Sequence, residues 1–229
     1  MLGRGGMGEV WRCFDLEQRH DVAVKAVRAE LLADSVAARL FHSEVIAVAR
    51  LGHPGVIPVY DLVQHSDGTT LLVMEYRAGP SLASFIRARP AWGFIREVLL
   101  QVLEALAFAH ARGVLHLDIK PENVVIEIDG VGPIASLAGA PTPPRPLGGS
   151  VAPPDASLPK TAAELVSSGS HVPLRATLVD FGIARIRSPG RGVERWIEGN
   201  AVVGTVEYMS PEQCAGSIER FGAWSDLYS

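Results

Sequence analysis

The glycine-rich start "GRGGMGEV", residues 3–10, most constrains how this chain folds. Gly3, Gly5 and Gly8 fit the spacing G-x-G-x-x-G, which lets a backbone approach a phosphate closely. A dinucleotide-binding fold would need a strand before these glycines and a helix after them. Here almost nothing precedes them, and a strand-like segment with Val10 follows. The pattern therefore favours a glycine-rich hairpin that lies over phosphates.

Composition excludes several other classes of protein. The 229 residues are 48% apolar and 20% charged, with a formal net charge of −4, which is typical of a globular domain and lacks the basic excess of a nucleic-acid-binding protein. No apolar run reaches about 18 residues, so we expect no membrane segment. The two cysteines, Cys13 and Cys214, lie far apart and fit reduced thiols in a cytoplasmic protein.

Periodicity predicts strands early in the chain and helices later. Segments rich in β-branched and aromatic residues predict strands at 9–15, 21–27, 53–64, 69–76 and 175–182. Apolar residues at helical spacing predict helices at about 35–51 and at 94–112. In the second helix, the expected apolar stripe consists of Ile95, Val98, Leu99, Val102, Leu103 and Leu106.

The segment 129–171 differs from the rest of the chain. It is rich in Pro, Gly, Ala and Ser and has no Phe, Trp or Tyr, so it cannot bury enough apolar surface to offset its ordering entropy. We interpret it as a flexible insertion and not as a domain.

One acidic residue stands out in the first predicted helix. Helical spacing places Glu44 beside Phe41, on the face expected to turn inward, and a buried carboxylate needs a partner. Lys25, in the strand "VAVK", is the only lysine upstream. The pattern favours a Lys25–Glu44 ion pair; the alternative is a solvated glutamate at the edge of the apolar stripe.

Polar groups with complementary chemistry cluster in "LHLDIKPENVVI", residues 115–126. Asp118 can accept a proton from a hydroxyl, and Lys120 can stabilise charge on a transferring phosphoryl group. Asn123, with Asp180 from the later segment "LVDFGIAR", supplies hard oxygen ligands of the kind that Mg²⁺ prefers. Alone, either segment reads as a loop next to a strand; together they indicate phosphoryl-transfer chemistry.

Six motifs, taken in their order along the chain, together resemble those of one protein family. The chain carries "GRGGMGEV", "VAVK", Glu44, "HLDIKPEN", "DFG" and "GTVEYMSPE", and so resembles the protein kinases, in particular the bacterial Ser/Thr kinases of eukaryotic-like type. The resemblance implies an α+β fold of two lobes. Residues 1–76 would form an antiparallel sheet with one helix, and 77–229 a mostly helical, incomplete second lobe that contains the insertion.

The resemblance also implies that ATP and Mg²⁺ bind in a cleft between the lobes. The residues that would contact ATP are Leu2, Gly3, Arg4, Gly5, Gly6, Met7, Gly8, Val10, Ala23, Lys25, Met74, Glu75, Tyr76 and Val125. Among them, Lys25 would hold the α- and β-phosphates, steadied by Glu44. Asn123 and Asp180 would bind Mg²⁺.

Catalytic roles follow from the same resemblance. Asp118 would be the catalytic base, assisted by Lys120, and Thr205 would help to position Asp118 and the acceptor hydroxyl. The implied reaction is transfer of the γ-phosphoryl group of ATP to Ser or Thr hydroxyls of a protein substrate. The segments "DIKPEN" and "GTVEYMSPE" disfavour a third possibility, a small-molecule phosphotransferase of related fold.

Two departures from the family pattern shape the alternatives. Leu117 replaces the arginine that usually precedes the catalytic aspartate, and Ser188 is the only hydroxyl-bearing residue between Asp180 and Thr205, so we hypothesise activity without loop phosphorylation. The helices that normally follow "SDLYS", whose Asp226 resembles an anchoring acid, are absent. The alternative is therefore a truncated, non-catalytic module that binds nucleotide or a partner, with regulatory or C-terminal regions elsewhere.

Overall fold

The computed structural model describes residues 1–5, 8–32, 35–129, 166–167, 173–181 and 206–229. The first part of the chain forms one antiparallel sheet in the order β1-β2-β3-β5-β4. Its strands are β1 (Gly3–Gly5), β2 (Gly8–Asp15), β3 (His20–Val27), β4 (Val59–Gln64) and β5 (Thr70–Glu75). In the antiparallel β2–β3 pair, Val10 lies opposite Lys25. β-Branched residues such as valine favour the strand conformation.

One helix, α1 (Ser35–Ala49), accompanies the sheet. It buries Phe41, Val45 and Val48, which recur at helical spacing and form its inward face. The sheet and this helix confirm the expected α+β class for the first part of the chain.

The second part is mainly helical. Its helices are α2 (Leu82–Arg87), α3 (Trp92–His110), α4 (Pro211–Cys214) and α5 (Ala223–Tyr228). The long helix α3 buries six residues: Phe94, Val98, Val102, Ala105, Leu106 and Ala109. Leu99 and Leu103, expected in the same apolar stripe, are 44% and 46% exposed. No described helix has both the length and the apolar character needed to cross a bilayer.

The predicted strand at 53–64 is shorter than expected. Regular pairing begins only at Val59, because Pro54 and Pro58 lack the N–H groups that a strand donates. The residues between these prolines pair with the other part of the molecule instead. The N–H of Leu178 donates to the Gly55 carbonyl at 2.8 Å, and the N–H of Ile57 donates to the Leu178 carbonyl at 2.9 Å. This loop fastens the sheet to the helical part.

A two-stranded ribbon carries the remaining motifs. It consists of β6 (Val124–Ile128) and β7 (Leu174–Leu178), which pair antiparallel from Val124 with Leu178 to Ile128 with Leu174. The connection between these strands contains the predicted insertion 129–171, of which 130–165 and 168–171 lie outside the described residues.

One residue of that insertion is part of the core. Val166 is 1% exposed, and its carbonyl accepts the N–H of Ala91 at 2.8 Å, next to the start of α3. The side chain of Ser167 donates to the Ala88 carbonyl at 3.3 Å. The expectation that the whole segment is flexible is therefore wrong at Val166, because this valine finds a closed apolar site.

Candidate active site

The glycine-rich start forms the hairpin that its sequence predicts. Strands β1 and β2 pair with Gly3 opposite Val10 and Gly5 opposite Gly8. Gly8 has φ +144°, and a Cβ there would lie 1.8 Å from the Ala26 carbonyl oxygen, so no other residue fits. Arg4 pairs with Glu9 across the hairpin at 3.2 Å. A strand and not a helix follows the glycines, which excludes the dinucleotide-binding arrangement.

The side chains predicted to line an adenine pocket come from both parts of the chain. Ala23 and Met74 are neighbours across β3 and β5 and are both buried. Val10 and Val125 are half-buried, on β2 and β6. Tyr76 follows β5 and lies under the guanidinium of Arg12, 4.8 Å from the ring centroid. Leu2, by contrast, is 46% exposed.

Lys25 is the buried cation of the site. Its ammonium lies 2.6 Å from Oδ1 of Asp180, and its side chain is 8% exposed against 31% for Asp180. Asp180 has φ +60°, an unusual value for a residue other than glycine. The pair joins β3 to Asp180, two positions beyond the end of β7.

The expected Lys25–Glu44 ion pair is not observed. Glu44 is exposed and makes no ion pair within the described ranges, while Asp180 neutralises Lys25. The physical reason lies in the helix: Phe41, Val45 and Val48 fill the inward face of α1, so Glu44 falls at the border of that stripe. The expectation that Glu44 turns inward to pair with Lys25 was wrong: Glu44 lies at the edge of the apolar stripe, as in the alternative, but neighbouring protein groups partly desolvate it.

Ionisation of Glu44 provides a test of this environment. Desolvation by neighbouring protein groups raises the pKa of Glu44 from 4.5 to about 7, although the residue keeps exposed surface. A carboxyl with a higher pKa in the folded chain binds more protons there than in the unfolded chain, so its contribution to stability falls as pH rises from about 4.5 to about 7. We expect Glu44→Gln to raise the melting temperature more at pH 8 than at pH 5.

The matched control is Glu104→Gln, an exposed glutamate on α3. Its effect on the melting temperature should be the same at both pH values. An equal effect of Glu44→Gln at pH 5 and pH 8 would show that the carboxyl ionises as an ordinary surface group.

Asp118, Lys120 and Asn123 form one hydrogen-bonded cluster. Lys120 donates to Oδ2 of Asp118 at 2.9 Å, and the Asn123 amide donates to Oδ2 and to the backbone carbonyl of Asp118, both at 2.8 Å. Asp118 and Lys120 are 14% and 19% exposed at their side chains, so solvent still reaches them. In this cluster the Lys120 ammonium lies against one oxygen of the Asp118 carboxylate. This arrangement suits a carboxylate that accepts a proton next to developing negative charge.

A buried histidine orients this cluster. His116 is fully buried, and burial lowers its pKa, so the ring is neutral. Its Nε2 donates to the Val179 carbonyl at 3.1 Å, and its Nδ1 accepts the N–H of Asp118 at 3.3 Å. The Phe181 ring packs against it at 4.5 Å. The sequence gave no signal for the contacts of His116 with Val179 and Phe181, which lie more than sixty positions away.

Asp226 fixes the backbone of the two residues that precede Asp118. Its carboxylate accepts the N–H groups of His116 at 2.9 Å and Leu117 at 2.6 Å, and it lies 2.7 Å from Nε2 of His110. Leu117 has φ +59°, and its carbonyl accepts the side-chain amide of Gln213 at 2.9 Å. The anchoring role expected of Asp226 agrees with this geometry, whereas Gln213 was not anticipated from the sequence.

The oxygens expected to hold Mg²⁺ form a suitable donor set. The backbone carbonyl of Asn123 accepts the N–H of Val179 at 2.9 Å, which brings Asn123 next to Asp180. The Asn123 amide nitrogen is committed to Asp118, so its amide oxygen is directed elsewhere, and Asp180 offers a carboxylate. Hard oxygens of these two kinds suit Mg²⁺. Three other expected site residues, Gly6, Met7 and Thr205, lie outside the described residues.

Comparison with known proteins identifies the family. Residues 1–136 match the protein kinase domain, more than half of the chain. The chain therefore belongs to the protein kinase family, and its described residues have the two-lobed kinase fold.

Several bacterial proteins are similar to the chain. The whole chain is 33% identical to serine/threonine-protein kinase pkn3 of Myxococcus xanthus, of which it covers 35%. It is 31% identical to serine/threonine-protein kinase PknB of Mycobacterium tuberculosis, of which it covers 30%. A crystal structure of the M. tuberculosis PknI kinase domain superposes with a TM-score of 0.60 at 26% identity, over the whole chain and 67% of that domain. The chain thus spans about a third of the curated relatives that it matches.

Proposed function

We propose that this chain carries the catalytic groups of a Ser/Thr protein kinase, which transfers the γ-phosphoryl group of ATP to protein hydroxyls with the help of Mg²⁺. One observation carries the proposal: the Lys25–Asp180 ion pair lies next to the hydrogen-bonded cluster of Asp118, Lys120 and Asn123. Val179, the neighbour of Asp180, joins the two groups because its N–H donates to the Asn123 carbonyl. The names of the relatives support Ser/Thr specificity.

The proposed binding step uses the residues of the sheet and the ribbon. Ala23, Met74, Val10 and Val125 would enclose the adenine, and the backbone of Glu75 and Tyr76 would meet its edge. The glycine hairpin would cover the phosphates. Lys25 would turn from Asp180 to the α- and β-phosphates, which leaves the Asp180 carboxylate for Mg²⁺ beside Asn123. Bound Mg²⁺ would neutralise charge on the phosphates.

The proposed transfer step depends on Asp118. Its carboxylate would accept the proton of the substrate hydroxyl as the hydroxyl oxygen attacks the γ-phosphorus and the bond to ADP breaks. Lys120, 2.9 Å from Asp118, would stabilise charge on the transferring group. Thr205 would position the acceptor. Asp226 and His116 hold the Asp118 backbone, so the base needs little reorganisation.

A second candidate function, nucleotide binding without transfer, is favoured by a different observation. Lys25 is paired with Asp180, and Glu44, the carboxylate expected to steady the lysine, is exposed and does not pair with it. A chain that kept this arrangement with nucleotide bound would serve as a binding module.

The first test is a thermal melt with and without Mg²⁺-ATP. At a nucleotide concentration about a hundredfold above Kd, binding adds roughly 2.7 kcal/mol, and we expect the melting temperature of the wild type to rise by about 5–10 °C. Asp180→Ala should lose most of this rise, because it removes a proposed Mg²⁺ ligand. Asp129→Ala, at an exposed aspartate beyond β6, should keep it.

The outcomes of this melt separate the possibilities. No rise in the wild type would contradict both candidate functions. A rise without phosphate transfer to Ser- or Thr-containing peptides would leave only the binding module.

A further inference from the structure

A partly buried arginine, Arg77, joins the two parts of the chain just after Tyr76. Nη2 of Arg77 donates to Glu75 at 3.0 Å, and Nη1 donates to Glu127 at 3.2 Å. Glu75 ends β5 of the sheet, whereas Glu127 lies on β6 of the ribbon. The Arg77 side chain is 15% exposed, and its Nε is buried without a hydrogen-bond acceptor in the described part of the chain. The guanidinium therefore spans two elements and is poorly solvated.

The backbone beside Arg77 lies directly on the same ribbon. A Cβ at Gly79 would lie 2.0 Å from the Ile126 carbonyl oxygen, so this contact admits only glycine. The N–H of Ile126 donates to the Pro80 carbonyl at 2.9 Å, and Ser81 forms an isolated bridge with Val125. The segment 77–81 thus fixes how far Glu75 and Tyr76 lie from Val125, on the opposite side of the proposed adenine pocket.

We propose that Arg77 is a positioning residue for the nucleotide: its two ion pairs set the spacing between the 75–76 segment and Val125. This inference rests on the proposed function. Two carboxylates meet one guanidinium, so removal of Arg77 leaves two negative charges facing each other from β5 and β6. In a partly buried site their repulsion is weakly screened, and it would widen the gap that Arg77 closes.

The choice of arginine fits this role. Its planar fork presents two terminal nitrogens at a fixed separation, one for each carboxylate. A lysine ammonium is a single point charge and would hold both carboxylates less rigidly. Arg77→Lys should therefore lie between the wild type and Arg77→Met in nucleotide affinity.

The experiment measures nucleotide affinity by isothermal titration at 10 °C, with circular dichroism showing each variant to be folded. The probe is a non-hydrolysable ATP analogue with Mg²⁺. We expect Arg77→Met to weaken binding about tenfold, within the range for residues that act on a ligand through their neighbours. Arg96→Met, at an exposed arginine on α3, should stay within about twofold of the wild type.

Two further measurements separate positioning from stability. Adding Glu127→Gln to Arg77→Met removes the repulsion, so the double variant should recover part of the lost affinity. Adenosine alone should show the loss, whereas Mg²⁺-tripolyphosphate, which cannot occupy the adenine pocket, should bind both proteins equally. If Arg77→Met does not fold, Glu127→Gln alone replaces it, with an expected weakening of about threefold.

The results distinguish failure of the proposed role of Arg77 from failure of the proposed function. If Arg77→Met binds the analogue as tightly as the wild type does, the proposed role of Arg77 is overturned and the proposed function stands. A wild type that binds no nucleotide at all would overturn both. A loss seen equally with adenosine and tripolyphosphate would place the effect outside the adenine pocket and would also refute the role.

Discussion

Asp118→Asn is expected to lower phosphate transfer to Ser- or Thr-containing peptides about a thousandfold, with nucleotide affinity almost unchanged. The substitution keeps the size of the side chain and an oxygen that accepts the Asn123 amide, but it removes the group that would take the proton. General bases typically contribute 10²- to 10⁴-fold to a rate. Because Asp118 is not among the proposed contacts of the adenine or of Mg²⁺, the loss should lie in kcat.

The measurement is transfer of labelled phosphate from ATP to a mixed peptide library, in parallel with titration of the non-hydrolysable analogue. Asp129→Asn is the matched control, because it makes the same change at an exposed aspartate nearby in sequence. Retention of more than about a tenth of the wild-type rate by Asp118→Asn would exclude Asp118 as the base.

Asp226→Ala is expected to lower the free energy of unfolding by about 3–5 kcal/mol. The carboxylate is 2% exposed and accepts two backbone N–H groups while contacting His110. Alanine would leave these donors buried without an acceptor, and each such donor costs about 1–3 kcal/mol. The loss is large compared with a typical domain stability of about 5–15 kcal/mol.

Urea unfolding at pH 7 measures this effect, with Glu219→Ala as an exposed acidic control that should change stability by less than about 0.5 kcal/mol. Should Asp226→Ala fail to fold, Asp226→Asn provides a milder change, since its amide oxygen still accepts one N–H. A loss below about 1 kcal/mol for Asp226→Ala would mean that other groups or water replace the carboxylate.

Contacts between residues close in sequence could be predicted. The spacing of Asp118, Lys120 and Asn123 brings three complementary groups to one short loop, and the structure joins them by hydrogen bonds. The glycine hairpin and α3 were also predictable, because turn chemistry and helical periodicity are local properties. By contrast, α2 was missed: six residues give too short a periodic signal to distinguish from a loop.

The partner of Lys25 could not be chosen from the sequence. Glu44 and Asp180 are both carboxylates, and the choice between them depends on how α1 is rotated and placed against the sheet. Asp180 lies 155 residues from Lys25, so no local pattern links them. The same reason hides Gln213 and Arg77, whose partners are set by tertiary packing of distant elements.

The burial of Val166 indicates where residues could be inserted into this chain or deleted from it. The chain leaves the ribbon at Asp129, whose N–H donates to the Pro173 carbonyl, and it re-enters the core at Val166. These two attachments fix the ends of the stretch between them, and doubling the length of a connection between fixed ends adds only about 0.6 kcal/mol of closure entropy. Residues could therefore be added or deleted between the attachments with little effect on folding, which makes this stretch a suitable place to graft a tag or reporter.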